Sequence, residues 1–270
     1  MKRICLWFSL FAPIAWAQED PLAIVKRAVL KDENFFEAAR DYTYTRHRVA
    51  KEFDKNDQPK VTQDITEEVL ILYGRPYFKL IRQEGKELSP RDIKREEEKL
   101  NKELARRKKD QAKDAARERR RIENARLTAQ EVAEAFDFRL AGVESIAGRE
   151  AWAIDATPKP GYRAKTREAR IYSKLSARMW IDRAESRWVK MDAQVNQTVS
   201  FGWFLLRLYP GAHFAHERIR IGDEIWLPKN DLARGEAKIG GIKTVRAEQE
   251  TTYSDYRKFR ADSTLIPGLE

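Results

Sequence analysis

Residue types able to do acid–base or metal chemistry are thin in this 270-residue chain, which holds three histidines, His47, His213 and His216, and one cysteine, Cys5. Successive side chains of a β-strand point to opposite faces. His213 and His216, an odd and an even position on one expected strand, therefore make poor metal ligands as a pair. His47 stands between Arg46 and Arg48, whose charge discourages a cation. Asp155, Asp182 and Asp192 could serve as general acid or base, yet each falls at an expected strand end or on a polar strand face, where a solvated carboxylate belongs. Ser200-Phe201-Gly202 lacks the preceding glycine of a nucleophile elbow, and neither a phosphate-binding loop nor a dinucleotide fingerprint is present. The expectation is a protein that is not an enzyme, with no catalytic residue, no metal site and no cofactor.

Aromatic residues are the better lead. In "SFGWFLLRLYPG", Ser200 to Gly211, a strand would put Phe204, Leu206 and Leu208 on one face and Trp203, Leu205, Arg207 and Tyr209 on the other. One apolar face is a core; a second calls for a lid, a ligand or a partner. Trp152, Trp180, Trp188, Trp203 and Trp226 all fall in or beside expected strands. Arg117, Arg119, Arg120 and Arg121 form a basic run that could meet lipid phosphate or an acidic partner. Residues 90–126 contain no aromatic side chain, so base stacking has no support and nucleic acid is not an expected partner.

The N-terminus reads as a cleavable signal peptide over residues 1–17: a basic start, the apolar run "ICLWFSLFAPIAW", and Ala15-Trp16-Ala17 as the cleavage pattern. That run is too short to span a bilayer. Cleavage after Ala17 removes Cys5, which excludes disulfides and thiolate sites from the mature chain. It also removes Lys2 and Arg3 and no acid, so the formal charge of +10 falls to +8. An exported basic protein favours anionic partners such as lipid headgroups.

Those residues need elements to position them. Asp20-Pro21 caps a first helix with a stripe of Leu22, Val25 and Val29. From Asp41 the apolar period changes to two, giving three strands with a turn at Gly74-Arg75-Pro76. On the second of them Val61, Ile65, Val69, Ile71 and Tyr73 share a face broken by Gln63 and Glu67. Ser89-Pro90-Arg91-Asp92 then caps a long charged helix to about Arg126, with Ile93, Leu100 and Leu104 as its packing stripe. Its first turns should dock and the remainder project or be mobile. Thr128-Ala129-Gln130-Glu131 reads as a cap opening a further short helix. Strands follow at 138–146, 150–157, 177–184, 187–201, 203–209, 213–222, 224–239 and 242–257, with an amphipathic piece at 166–175.

"ARMWIDRAESRWVKMDAQV", Ala177 to Val195, together with "DEIWLPKND" and "TYSDYRKF", resembles the outer-membrane lipoprotein carrier, or lipoprotein-sorting (LolA-like), superfamily. The resemblance covers about residues 20–260. It implies an α+β fold: a half-open, strongly curved antiparallel β-barrel whose concave apolar face is covered by a helical lid. Residues 18–270 then form one domain with a helical insertion at about 90–136. A periplasmic location follows, with lipid or lipoprotein acyl chains as partners, or an anionic membrane surface or an envelope protein. Trp152, Trp180, Trp203, Phe204 and Leu206 are the expected lining of the hollow, and Arg117, Arg119, Arg120 and Arg121 the expected contacts to an anionic surface. The other reading is an envelope protein-interaction or stress-sensing module that uses the same fold without lipid transfer. The basic helix has no counterpart in the carrier pattern.

Overall fold

The computed structural model describes residues 19–32, 39–166, 168–201, 205–222 and 225–258. The expected signal peptide, Trp203 and Phe204 lie outside them. Helix α1, Pro21–Asp32, begins where Asp20 accepts a hydrogen bond from the Leu22 amide (3.1 Å). Ile24, Val25, Ala28 and Val29 then fall on one side of the helix, and all four are buried.

Among the described residues, thirteen strands make one antiparallel sheet. They are β1 (Tyr42–Phe53), β2 (Pro59–Leu72), β3 (Arg75–Gln83), β4 (Lys86–Glu87), β5 (Phe136–Ile146), β6 (Arg149–Pro158), β7 (Leu175–Asp182), β8 (Trp188–Val195), β9 (Val199–Phe201), β10 (Leu206–Leu208), β11 (His213–Ile221), β12 (Ile225–Ile239) and β13 (Lys243–Lys258). The order is β4-β3-β2-β1-β13-β12-β11-β8-β7-β6-β5, with β10 paired to the far end of β12 and β9 to β10. The sheet is curved and does not close, so β4 and β5 are its edges. This is the half-open α+β barrel that the resemblance implied.

Chain reversals explain the small shifts from expectation. Tyr73 and Gly74 both adopt positive φ (51° and 73°), the conformation that a two-residue hairpin demands. The turn therefore sits one residue earlier than expected, and Pro76 falls within the edge-proximal β3, where a missing N–H is tolerated. The expected strand 187–201 breaks after Val195, because the Asn196 amide bonds to Lys174 O (2.8 Å) and β9 takes β10 as its partner. The piece at 166–175 is a 3-10 segment, Glu168–Lys174, with Ala169 buried.

The largest departure is the charged helix. Helix α2 runs unbroken over Pro90–Ala135, 46 residues and about 69 Å. Ser89 caps it as expected, accepting from the Asp92 amide (3.2 Å). It is no appendage, since it connects the two edge strands β4 and β5. Two buried charged side chains tie it down, one in its first half and one near its C-terminus. Arg107 donates to three carbonyls of the β2–β3 hairpin, Leu72 O (2.9 Å), Arg75 O (2.8 Å) and Pro76 O (3.1 Å). Glu131 accepts from Tyr162 Oη (2.6 Å), the Lys165 amide and Thr166 Oγ1 (2.8 Å). The expected cap at Thr128 is therefore no helix start, because Glu131 reaches across to a loop. Within the expected stripe Leu100 is buried, whereas Ile93 is exposed.

Candidate ligand-binding face

Directly opposed residues on paired strands share a face of the sheet. One row can be followed from β6 to β2: Ile154, Met179, Met191, His216, Asp231, Thr251, Arg48, Ile65. It starts apolar and turns polar at β11. The face under α1 thus has two halves.

In the apolar half, Ile24, Val25, Ala28 and Val29 of α1 pack on Phe136, Trp152, Ile154, Ala156, Met179 and Ile181. Phe138, Leu140, Tyr172 and Leu175 rim this bed. Burying a large apolar side chain contributes roughly 1.5–3 kcal/mol, so α1 stabilises the bed and is stabilised by it. Polar bonds hold its C-terminal end. Arg218 Nη1 donates to both Asp32 carboxylate oxygens (3.0 and 2.9 Å), Lys31 Nζ donates to Glu185 O (2.7 Å), and the Arg187 guanidinium donates to Lys31 O.

In the polar half, Arg46 donates to Glu67 through Nε (2.9 Å) and Nη2 (2.6 Å) and lies over the Phe78 ring at 3.8 Å. Glu67 is therefore an internal partner of β1 and no interruption of its strand. Asp231 accepts from Tyr253 Oη (2.6 Å) and pairs with His216 Nδ1. Burial pushes the Asp231 carboxyl up, but those two hydrogen bonds outweigh it and hold it below the usual range. The same bond, with burial, pushes the Tyr253 phenol up. Arg218 Nε donates to His216 Nε2 (3.2 Å), which links this cluster to Asp32 and the α1 latch. The expectation of an apolar hollow is corrected here. Charge and tyrosine occupy the half beyond β8.

Of the expected lining, Trp152 and Trp180 fall on opposite faces of the sheet. Trp152 lies under α1, while Trp180 lies on the opposite face with Ala151, Ala153, Val189 and Trp226, its indole donating to Glu144 Oε2 (2.7 Å). Each is 7% exposed. Leu206 is half-buried and shares its face with Leu208, which packs against the small cluster Val195, Val199 and Ala212. Arg119 and Arg120 are exposed on α2, the helix that also carries Arg117 and Arg121.

The histidines and aspartates sit as alternation required. His213 bonds Asp192 (2.7 Å) on one face and His216 bonds Asp231 on the other. Among the described residues no group of three or more His, Cys, Asp or Glu is placed to hold a metal ion. Asp182 is a turn anchor, accepting from Arg149 Nε (2.7 Å) and the Glu185 amide (2.7 Å). Asp155 lies in a depression of about 430 Å³ on the face away from α1, lined also by Arg139, Ser176, Arg178, Asp192 and Gln194. Arg178 Nε (2.6 Å) and Arg139 already pair with it. Sequence reasoning missed Arg218, Asp32 and Glu131. A charged residue within an apolar period was the only available signal.

No family profile matches the chain, and no curated protein matches it. Among solved structures it is similar to a DUF1329 family protein from Desulfovibrio piger, at 13% identity over 90% of this chain and 95% of that one, with a TM-score of 0.35. It is similar also to a domain of an outer-membrane lipoprotein-sorting protein from Vibrio parahaemolyticus, at 9% identity over 90% and 93%, with a TM-score of 0.34. A LolA superfamily protein from Nitrosomonas europaea matches at 12% identity over 89% and 93%, with a TM-score of 0.30.

Proposed function

We propose that the mature chain, residues 18–270, is a periplasmic binding protein for the apolar part of an amphiphile, a lipid or the acyl chains of a lipoprotein. The observation that carries this reading is the make-up of α1. Its underside covers a continuous apolar bed, while its C-terminal end is held by hydrogen bonds and ion pairs that can be exchanged for water. Such an element can leave its seat without dismantling the sheet. The guest would take the place of Ile24, Val25, Ala28 and Val29 on Trp152, Ile154, Met179 and Ile181. The polar half beside it, with Arg46, His216 and Tyr253, suits a headgroup. The role is binding, with no step of catalysis assigned to any residue.

Delipidated protein titrated with a fluorescent fatty acid or lipopeptide tests this reading. Saturable uptake is expected, and Asp32→Ala, which frees the latch, should speed it. Failure of both proteins to take up either probe would remove the proposal.

A second reading, docking of an envelope protein, is favoured by one feature. Arg119, Arg120, Glu123 and Leu127 are exposed on the stretch of α2 between its two anchors. Arg119→Glu with Arg120→Glu separates the readings, since loss of partner capture with intact fatty-acid uptake would favour docking.

A further inference from the structure

Three exposed aliphatic residues lie at one end of the sheet. Ile242 is 90% exposed, Leu205 62% and Ile239 49%. Their backbones are joined: Gly240 N donates to Leu205 O (2.8 Å), Ile242 N donates to Ile239 O (3.2 Å), and Leu206 opposes Ile239 across β10–β12. Ile242 follows the Gly240-Gly241 turn, which carries it to the tip of the β12–β13 hairpin. A soluble surface normally scatters such residues singly. Nothing in the fold requires an isoleucine that is nine-tenths exposed.

Charge beside the tip points to its partner. Arg207 and Lys238 are directly opposed on β10 and β12, and among the described residues neither forms an ion pair. Like charges placed opposite one another destabilise a sheet, so this pair costs stability unless an anion lies between or beyond them. Lys243 adds a third cation on the same hairpin, loosely paired with Glu52 at 3.3 Å with both side chains well exposed. Aliphatic side chains at an extremity, with basic residues beside them, match the two layers of an anionic bilayer surface: phosphate outside, acyl chain beneath.

We propose that the tip formed by Leu205, Ile239 and Ile242, with Arg207, Lys238 and Lys243, anchors the protein at the interface of an anionic membrane. The aliphatic residues enter the boundary between headgroups and acyl chains, and the three cations take lipid phosphates as their counter-ions. This site is separate from the face under α1 and does not depend on what that face binds.

The test is co-sedimentation of the mature chain with vesicles of phosphatidylcholine alone and of phosphatidylcholine with phosphatidylglycerol. Binding is expected to the anionic vesicles and to weaken with salt. Ile242→Glu should lower the partition about tenfold, given the value of one large apolar side chain. Arg207→Gln and Lys238→Gln should each lower it about fivefold and flatten the salt dependence. Ile242 is exposed enough that its replacement leaves the melting temperature unchanged, so loss of fold is readily told from loss of binding. Several outcomes overturn the proposal: no binding to anionic vesicles, equal binding by Ile242→Glu, or dependence on Arg119 and Arg120 of α2 instead. So does a tip variant that changes only the sedimentation mass, which would make the patch a contact between copies. Fatty-acid uptake should be the same in Ile242→Glu and wild type, so the two functional proposals stand or fall separately.

Discussion

Asp32 and Arg218 join the last residue of α1 to the middle of β11, and much of the site's behaviour rests on that pair. Charge-assisted hydrogen bonds of this kind are worth about 1.5–3 kcal/mol. Arg218→Ala should therefore raise hydrogen exchange across α1 about tenfold or more while leaving β6 and β7 protected. Gly235 gives a sharper steric test, because a Cβ there would stand 2.6 Å from Ala212 Cβ and 2.7 Å from its Cα. Backbone cannot rotate aside as a flexible side chain can, so Gly235→Ala should cost about 1–3 kcal/mol in thermal or urea unfolding. Titration gives a third. Hydrogen bonds from Arg106 and then Arg107 hold Glu103 down to about 2, and Asp182, Glu131 and Asp231 lie below the ordinary range because their bonds outweigh burial. A carboxylate with a lowered folded pKa stabilises the protein above its unfolded value of about 4 and ceases to do so as pH falls through the folded one. Melting temperature should therefore hold between neutrality and about pH 5 and fall steeply from about 4 toward 2. A melting temperature that rises on acidification would contradict these assignments.

Among the elements, the strands were legible and their register was not. β-rich runs placed β5 to β7 and β11 to β13 within a few residues, and alternation from Trp188 placed the start of β8 but carried it past its end at Val195. Which strand lies beside which was invisible, and register decides faces. Ala153 opposes Trp180, so Trp180 points away from α1 while Trp152, the neighbour of Ala153 in sequence, points toward it. No periodicity within either strand could say so. Helix α2 shows the same division. Its start was legible in Ser89 and Pro90, but Glu131, within its last turns, finds partners 31 to 35 residues further along the chain. Arg107 and Glu131 stand 24 positions apart, about 36 Å along the axis. Removing either anchor should loosen its own stretch of the helix alone. Glu131→Ala should expose the C-terminal turns of α2 to limited proteolysis and leave cleavage near Arg107 unchanged. Cutting near both anchors in either single variant would mean that the anchors do not act independently.

At the scale of the whole molecule, the open sheet divides labour between its surfaces. One face carries an apolar bed closed by α1 and a charged, tyrosine-rich extension beside it. The opposite face buries Trp180 and Trp226 with Ala151, Ala153 and Val189. The two edges are bridged by α2, and the β12–β13 tip projects aliphatic and basic residues from one end. This arrangement accounts for a chain with a third of its residues charged that still keeps large apolar side chains in reserve. The central claim is that α1 occupies a seat an acyl chain can take. Hydrogen exchange with and without a saturating single-chain lipid measures this directly. Protection of the amides over Pro21–Asp32 should fall when lipid binds, while that of β6 and β7 is kept or rises. If α1 stays fully protected with lipid bound, or lipid changes nothing at α1, β6 and β7, the seat is only a core.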